Sequence, residues 1–409
     1  MTSKIFDRFN FRILIVVLAL LTIGLLAIYS ATNGNLQVAE NFKKQVMGAV
    51  AGFVIMIILY YLPPKYFQIS AYPFYGITLV LLVLVLFIGK KILGHTSWFS
   101  VGGFGIQPSE FAKIATVLTL ARFLSDKQFD RDLSKPRDFI VAVFLGLFPV
   151  ALIMMQPDAG TSLVFFAFLL PILYWGGLPN FLLFVIITPI VLAVSSFLGT
   201  FYFLGALLIS LIALFFFKKN LLISTLVVIL FVVAGSSVNL AYKKLAPYQQ
   251  KRITAVFNPE SDALGSGYNV IQSKIAIGSG GMWGKGFLQG TQTQLKYIPE
   301  QWTDFIFCMV GEEFGFAGSI AVVILFFILI MLAINTAYQC KNKFLSLCTI
   351  GFTSIFMYHA FFNIGMTCGI MPVIGIPLPF MSYGISFLLS NFIMIGIFLN
   401  AYRNRKGYI

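Results

Sequence analysis

Long apolar runs recur along the whole chain and are separated by short polar stretches. A membrane-spanning helix needs about 20 apolar residues. Runs near that length cover 11–31, 45–62, 68–89, 107–125, 138–155, 160–177, 180–198, 200–217, 221–241, 305–333, 347–366 and 383–402. They predict an all-α polytopic membrane protein, a helical bundle of about 10–12 transmembrane helices. The whole chain, 1–409, reads as one integral membrane domain, with 180–241 as a possible extra helical pair. One long polar stretch, 242–304, predicts a large extracytoplasmic loop that leads into a helix starting near Asp304.

Composition supports lipid as the main solvent. Of 409 residues, 59% are hydrophobic and 10% are charged, against about 25% charged in soluble domains. The net charge of +14 would ordinarily raise nucleic-acid binding, but the Lys and Arg flank apolar runs, as positive-inside topology requires. With the N-terminus inside, the inner segments hold Arg12, Lys65, Arg122, Arg131, Lys135, Arg137, Lys218, Lys219, Lys341, Lys343, Arg403 and Arg405 among others. Four cysteines lie in or beside apolar runs without a CxxC pair, which argues against a disulfide framework or a zinc site.

Three polar segments fall on the predicted outer side. In the first, Trp98 precedes Gln107-Pro108-Ser109-Glu110 and Lys113. Pro108 suits a helix first turn, and Gln107, Glu110 and Lys113 share one face at spacing three. An unpaired charge there would cost several kcal/mol, so Glu110 and Lys113 either pair with each other or serve a ligand. In the second, Gln156-Pro157-Asp158 leads to Thr161, and Asp158 reads as a helix cap or a polar contact. The third is the long loop itself. It carries Arg252, Gln272, Ser273, Lys285, Gln292 and Glu300 among many glycines, then Thr303 and Asp304. A positive surplus on an outer loop is either a solvated charge run or a site for an anionic ligand, and Gly-rich backbone can approach phosphate closely.

Asp304 is the sharpest candidate. Thr303 is placed to cap the next helix, with Asp304 in its first turn. The helix N-terminus favours a carboxylate there, and partial burial favours the neutral acid; a group between these limits suits general-base work, and the other reading is a plain N-terminal helix charge. Glu312 and Glu313 follow on the same predicted helix, to shape a polar cavity or to pack through Gly311 and Gly315. Near the end, 371–384 is dense in Pro and Gly and includes Ser382. Irregular backbone at membrane depth must be buried or line a cavity.

Taken together, the runs WFxxGxxxxQPSEFAK, QPDAGT, KRI, GSGYNVIQSKIAIGSGG, GKGFLQGTQ, PEQWTDFIF, GEEFGFAG and MPVIGIPLPFMSYG resemble the shape, elongation, division and sporulation (SEDS) family of bacterial wall polymerases. The likeness covers nearly the whole chain, and GFLQGTQ and PVIGIPLPFMSYG are nearer to its elongation branch. Trp302, Ile385 and Ser97 depart from its usual pattern, as does a count of twelve spans where ten are usual.

The resemblance implies a peptidoglycan glycosyltransferase that polymerises lipid II for wall elongation and cell shape, releasing undecaprenyl pyrophosphate. It puts the family's essential aspartate on Asp304, further contacts on Gln107, Ser109, Glu110 and Lys113, and a basic residue on Lys44. It also implies a divalent cation (Mg or Mn), a class B penicillin-binding protein as transpeptidase partner, and a multi-pass place in the bacterial cytoplasmic membrane with the active site outside. A flippase would carry ionisable residues through the midplane of several helices, whereas most here lie toward the outer end. A non-catalytic scaffold leaves Asp304 and the basic loop without a use.

Overall fold

The computed structural model describes residues 9–33, 38–92, 95–101, 104–126, 131–245, 250, 266–295, 297–299 and 301–406. In lipid every backbone N–H and C=O must be satisfied within the protein, so the apolar runs fold as helices. These are α1 (Phe11–Thr32), α2 (Ala39–Tyr61), α3 (Pro64–Ile88), α4 (Pro108–Leu124), α5 (Pro136–Met154), α6 (Ala159–Trp175), α7 (Asn180–Leu198), α8 (Thr200–Phe216), α9 (Leu221–Ser236) and the short α10 (Val238–Lys244). After them come α11 (Ser266–Ser279), α12 (Thr291–Gln294), α13 (Ile306–Glu313), α14 (Gly315–Gln339), α15 (Lys343–Thr367) and α16 (Ile385–Arg403).

Eight of the described helices are long and apolar enough to cross a membrane, and three shorter apolar ones accompany them. Local sequence marks the starts. Pro64, Pro108 and Pro136 open α3, α4 and α5, where the missing N–H has no intrahelical partner to lose. Asp158, Asn220 and Asn342 accept backbone N–H groups at the starts of α6, α9 and α15.

The main body surrounds α15 and α16, whose apolar windows are 83% and 78% buried. Their Asn, Ser, His and Thr residues therefore face protein rather than lipid. The 180–241 stretch behaves differently. Leu192, Leu214, Val227 and Phe231 form a separate small core among α7, α8 and α9, so the expected extra pair joins α7 as a satellite of the main bundle. Between α3 and α4 runs a feature absent from the sequence reading: an antiparallel sheet of β1 (Lys90–Ile92), β2 (His95–Val101) and β3 (Phe104–Ile106), paired in that order.

The predicted span 305–333 is broken in the structure. Helix α13 stops at Glu313, and α14 restarts at Gly315 with φ +65°. The Gly-rich loop repairs the break. Lys285 and Gly286 N–H donate to the carbonyls of Glu312 and Glu313, at 3.0 and 3.1 Å, and Phe316 and Ala317 N–H donate to Gly281 and Met282 at 2.9 and 3.1 Å. Terminal helix groups that lack an intrahelical partner are thus satisfied. A Cβ on Gly284, which has φ +83°, would lie 2.1 Å from the Glu313 oxygen. Gly284→Ala is therefore expected to destabilise the protein by roughly 2 kcal/mol or more, read as a lower thermal unfolding midpoint in detergent.

Candidate active site

The turn carrying Asp304 is built by its partners across the bundle. Residues 301–305 form turns, and the N-cap of α13 is Phe305, with no side-chain cap bond. The expected capping by Thr303 is corrected accordingly, and Asp304 lies just outside the helix. The reason is visible in three carbonyls. Tyr383 N–H donates to Trp302 O at 2.9 Å, Ser382 Oγ to Thr303 O at 2.6 Å, and Asn363 Nδ2 to Asp304 O at 2.8 Å. These long-range bonds hold 302–304 in a shape that a helix would not give.

The Asp304 side chain is half-buried. Its Oδ2 lies 3.1 Å from where a Cβ on Gly375 would stand, and Gly375 has φ +69°. Glycine at that position leaves the carboxylate its room.

The Pro/Gly-rich segment is irregular, as expected, and its polar backbone is accounted for. Asn363 Nδ2 also donates to Ile376 O at 2.7 Å, and Leu378 N–H donates to Ser382 Oγ at 2.7 Å. Gln45 of α2 is fully buried; its Nε2 donates to Ser382 O, and its Oε1 accepts from Gly384 N–H, both at 3.1 Å. On the far side, a Cβ on Gly160 would come within 2.6 Å of Ile374 O. Residues 374–375 thus lie between Asp304 and the start of α6.

At that helix start, Asp158 accepts from Thr161 N–H at 3.0 Å, Thr161 Oγ1 at 2.7 Å and Gln107 Nε2 at 3.2 Å. The cap thereby ties α4 to α6. Gln156 turns away, its Nε2 donating to Leu82 O at 3.1 Å. Glu110 and Lys113 are buried and bonded to one another at 2.9 Å, and Ser109 is buried next to them in sequence. Gln107, the N-cap residue of α4, does not join that pair; its side-chain amide bonds Asp158 instead.

Lys285 is held by Glu312 at 2.8 Å. Glu312 is fully buried and also accepts from Gln292 N–H, Thr293 N–H and Thr293 Oγ1 at 2.9, 3.0 and 2.8 Å. Glu313 accepts from Ser30 Oγ on α1. Ser273 Oγ donates to Thr367 O at 2.5 Å, fixing α11 to the end of α15, and Gln272 beside it is partly exposed. Trp98 sits in β2 beside Gly105, and Lys44 pairs with exposed Glu40 at 3.3 Å. Arg252 and Glu300 lie outside the described residues.

The structure therefore gathers Asp304, Thr303 and Ser382 in one place, with Asp158, Gln107 and Thr161 across residues 374–375. Gln45, His359, Asn363, Ser386 and Ser390 were missed in the sequence. Their signal was a polar residue inside an apolar run, which periodicity alone does not rank.

Comparison with known proteins agrees with this architecture. A family model described as "Cell cycle protein", shared by FtsW, RodA and SpoVE, matches residues 11–204 and 180–407. RodA of Treponema pallidum, a peptidoglycan glycosyltransferase by name, is 34% identical over 96% of this chain and 97% of its own length. Peptidoglycan glycosyltransferase MrdB of Escherichia coli K12 is 34% identical over 96% of this chain and 93% of its own. Stage V sporulation protein E of Bacillus subtilis is 34% identical over 96% of both. Among solved structures, a chain of a peptidoglycan synthase complex that coordinates polymerization and crosslinking superposes with TM-score 0.74 and 25% identity, covering 98% of this chain and 99% of that one. RodA of Thermus thermophilus gives TM-score 0.65 at 22% identity, with 98% and 99% covered.

The fold and its polar end define a multi-pass membrane protein of the wall-polymerase type. The chain belongs to the FtsW/RodA/SpoVE family, the SEDS proteins.

Proposed function

We propose that this chain polymerises lipid II into glycan strands for wall elongation and cell shape, with Asp304 as the general base. It is a peptidoglycan glycosyltransferase, in line with the names of its relatives. The observation that carries the catalytic assignment is a half-buried carboxylate on a turn whose carbonyls at Trp302, Thr303 and Asp304 are held from α15 and the 371–384 segment.

In the reaction, an acceptor sugar hydroxyl attacks the anomeric carbon of the donor. The new C–O bond forms as the bond to undecaprenyl pyrophosphate breaks. Asp304 takes the hydroxyl proton, and the pyrophosphate leaves with the bonding electrons. A base of this kind contributes about 10²–10⁴ in rate. Fixed orientation of two lipid-bound substrates supplies much of the remainder.

A divalent cation, Mg or Mn, is part of the proposal. No group of three His, Cys, Asp or Glu that could hold a metal is found among the described residues. That suits an ion carried mainly by substrate phosphates with one or two carboxylates, and Asp304 and Asp158 are the carboxylates flanking residues 374–375. Once bound, the ion would offset charge growing on the leaving pyrophosphate.

Positive residues support an outward-facing site. Arg403 and Arg405 lie at the end of the bundle remote from Asp304, where Lys341 N–H donates to Arg405 O, as the positive-inside rule expects of a cytoplasmic face. The bacterial inner membrane and a class B penicillin-binding protein complete the reading. The related complex that couples polymerization to crosslinking supports such a partner.

The test is polymerisation of labelled lipid II by purified protein with Mg or Mn, alone and with its transpeptidase. A glycan ladder is expected. No ladder even with the partner, from folded protein, would overturn the reading and turn attention to lipid transport.

A further inference from the structure

We infer that His359 is a positioning residue, linking the buried Glu110–Lys113 pair to the segment that frames Asp304. The inference rests on Asp304 being the catalytic base.

Lys113 is 1% exposed, and both Glu110 carboxylate oxygens lie 2.9 Å from its Nζ. Ser390 Oγ, which also donates to Phe387 O at 2.8 Å, lies 3.2 Å from Glu110 Oε2 as a second donor group beside it. On its other side Nζ faces His359 Nε2 at 3.4 Å. An ammonium only donates, so Nε2 is the ring's accepting nitrogen and the proton sits on Nδ1. That nitrogen faces Pro377 O at 3.0 Å. The tautomer is thus assigned by its partners. The Phe387 ring closes the site, 5.6 Å from Nζ and 5.1 Å from the imidazole.

Three consecutive residues now have distinct holds. Pro377 O is bound by His359, Ile376 O by Asn363, and Leu378 N–H by Ser382. Asn363 also binds Asp304 O, and Ser382 binds Thr303 O. His359 and Asn363 are four apart on α15 and share a face. The segment 376–378 is therefore pinned to the Glu110–Lys113 pair at its middle and to the Asp304 turn at both flanks. A buried ion pair adds little net stability compared with apolar packing. Its hold on Pro377 through His359 gives the pair a specific use, which is to fix where the base stands.

Full-length His359→Leu and His359→Gln enzymes test this with lipid II and the transpeptidase present. Glutamine can accept from Lys113 and donate to Pro377 O; leucine can do neither. His359→Leu is expected to lower kcat about tenfold to a hundredfold, the scale of a small misplacement, with KM nearly unchanged. His359→Gln is expected to recover most of that loss. Unchanged kcat per folded molecule in the leucine variant overturns the proposal, as does a raised KM at constant kcat. Equal loss in both variants does so too. Asp304→Asn runs beside them. If it stays active, the general-base reading falls and this inference with it; if it is inactive while His359→Leu keeps its kcat, only this inference falls.

Discussion

Asp304→Ala is expected to reduce glycan polymerisation by about 10²–10⁴, the range for loss of a general base, while lipid II still binds. The expectation follows from how the residue is held. Its backbone is anchored from α15, and Gly375 leaves space at the carboxylate. Removing the side chain keeps three bonds that hold the turn, since these run to the carbonyls of Trp302, Thr303 and Asp304. Wild type and variant are compared at matched thermal unfolding midpoint and matched lipid II binding. Asp304→Asn, similar in shape but a poor base, should fall with alanine. Polymer at the wild-type rate from either variant would remove Asp304 as the base.

The membrane helices were legible because lipid imposes one rule over long stretches, and apolar length alone reports it. Pro108 as a helix start and Asp158 as a cap were legible for a similar reason. Each acts on backbone within three residues of itself. The Thr303 cap failed because the competing bonds come from residues far away in sequence, Asn363, Ser382 and Tyr383. The same holds for the break at Gly315. Glu312, Glu313 and Gly315 interrupt the apolar run there, but the partners that stabilise a break come from the loop at 281–286, distant in sequence.

The glycines of that loop illustrate the limit. Their number suggested close approach to a phosphate. In the structure, a Cβ on Gly280 would lie 2.0 Å from Gly311 O, and one on Gly284 lies equally badly against Glu313. Both glycines let the loop touch α13, so their first use is packing of backbone on backbone. Gly278 and Gly281 have open space instead. In a similar way Glu110 and Lys113 were legible as a pair, whereas His359, which bonds Lys113 from a helix over 200 positions later, was not.

Glu312→Ala is expected to cost about 3 kcal/mol of stability, near the lower end for a broken buried pair. The lower end applies because Lys285 is 25% exposed, so water recovers part of its loss. Five groups lose their acceptor: the Lys285 ammonium, the N–H groups of Gln292 and Thr293, and the hydroxyls of Thr291 and Thr293. The carboxylate sits at the end of α13, where the loop also repairs the helix break, so the damage should concentrate between residues 285 and 295. A lower unfolding midpoint in detergent and new protease cleavage there would show it. Lys285→Met should cost less, since Glu312 keeps its backbone and threonine donors. An undiminished midpoint in Glu312→Ala would mean that the clamp stabilises nothing. If Lys285→Met instead stopped polymerisation with little change in midpoint, Lys285 would be leaving Glu312 to meet the pyrophosphate during turnover, and the loop's positive charge would belong to the reaction as well as to the fold.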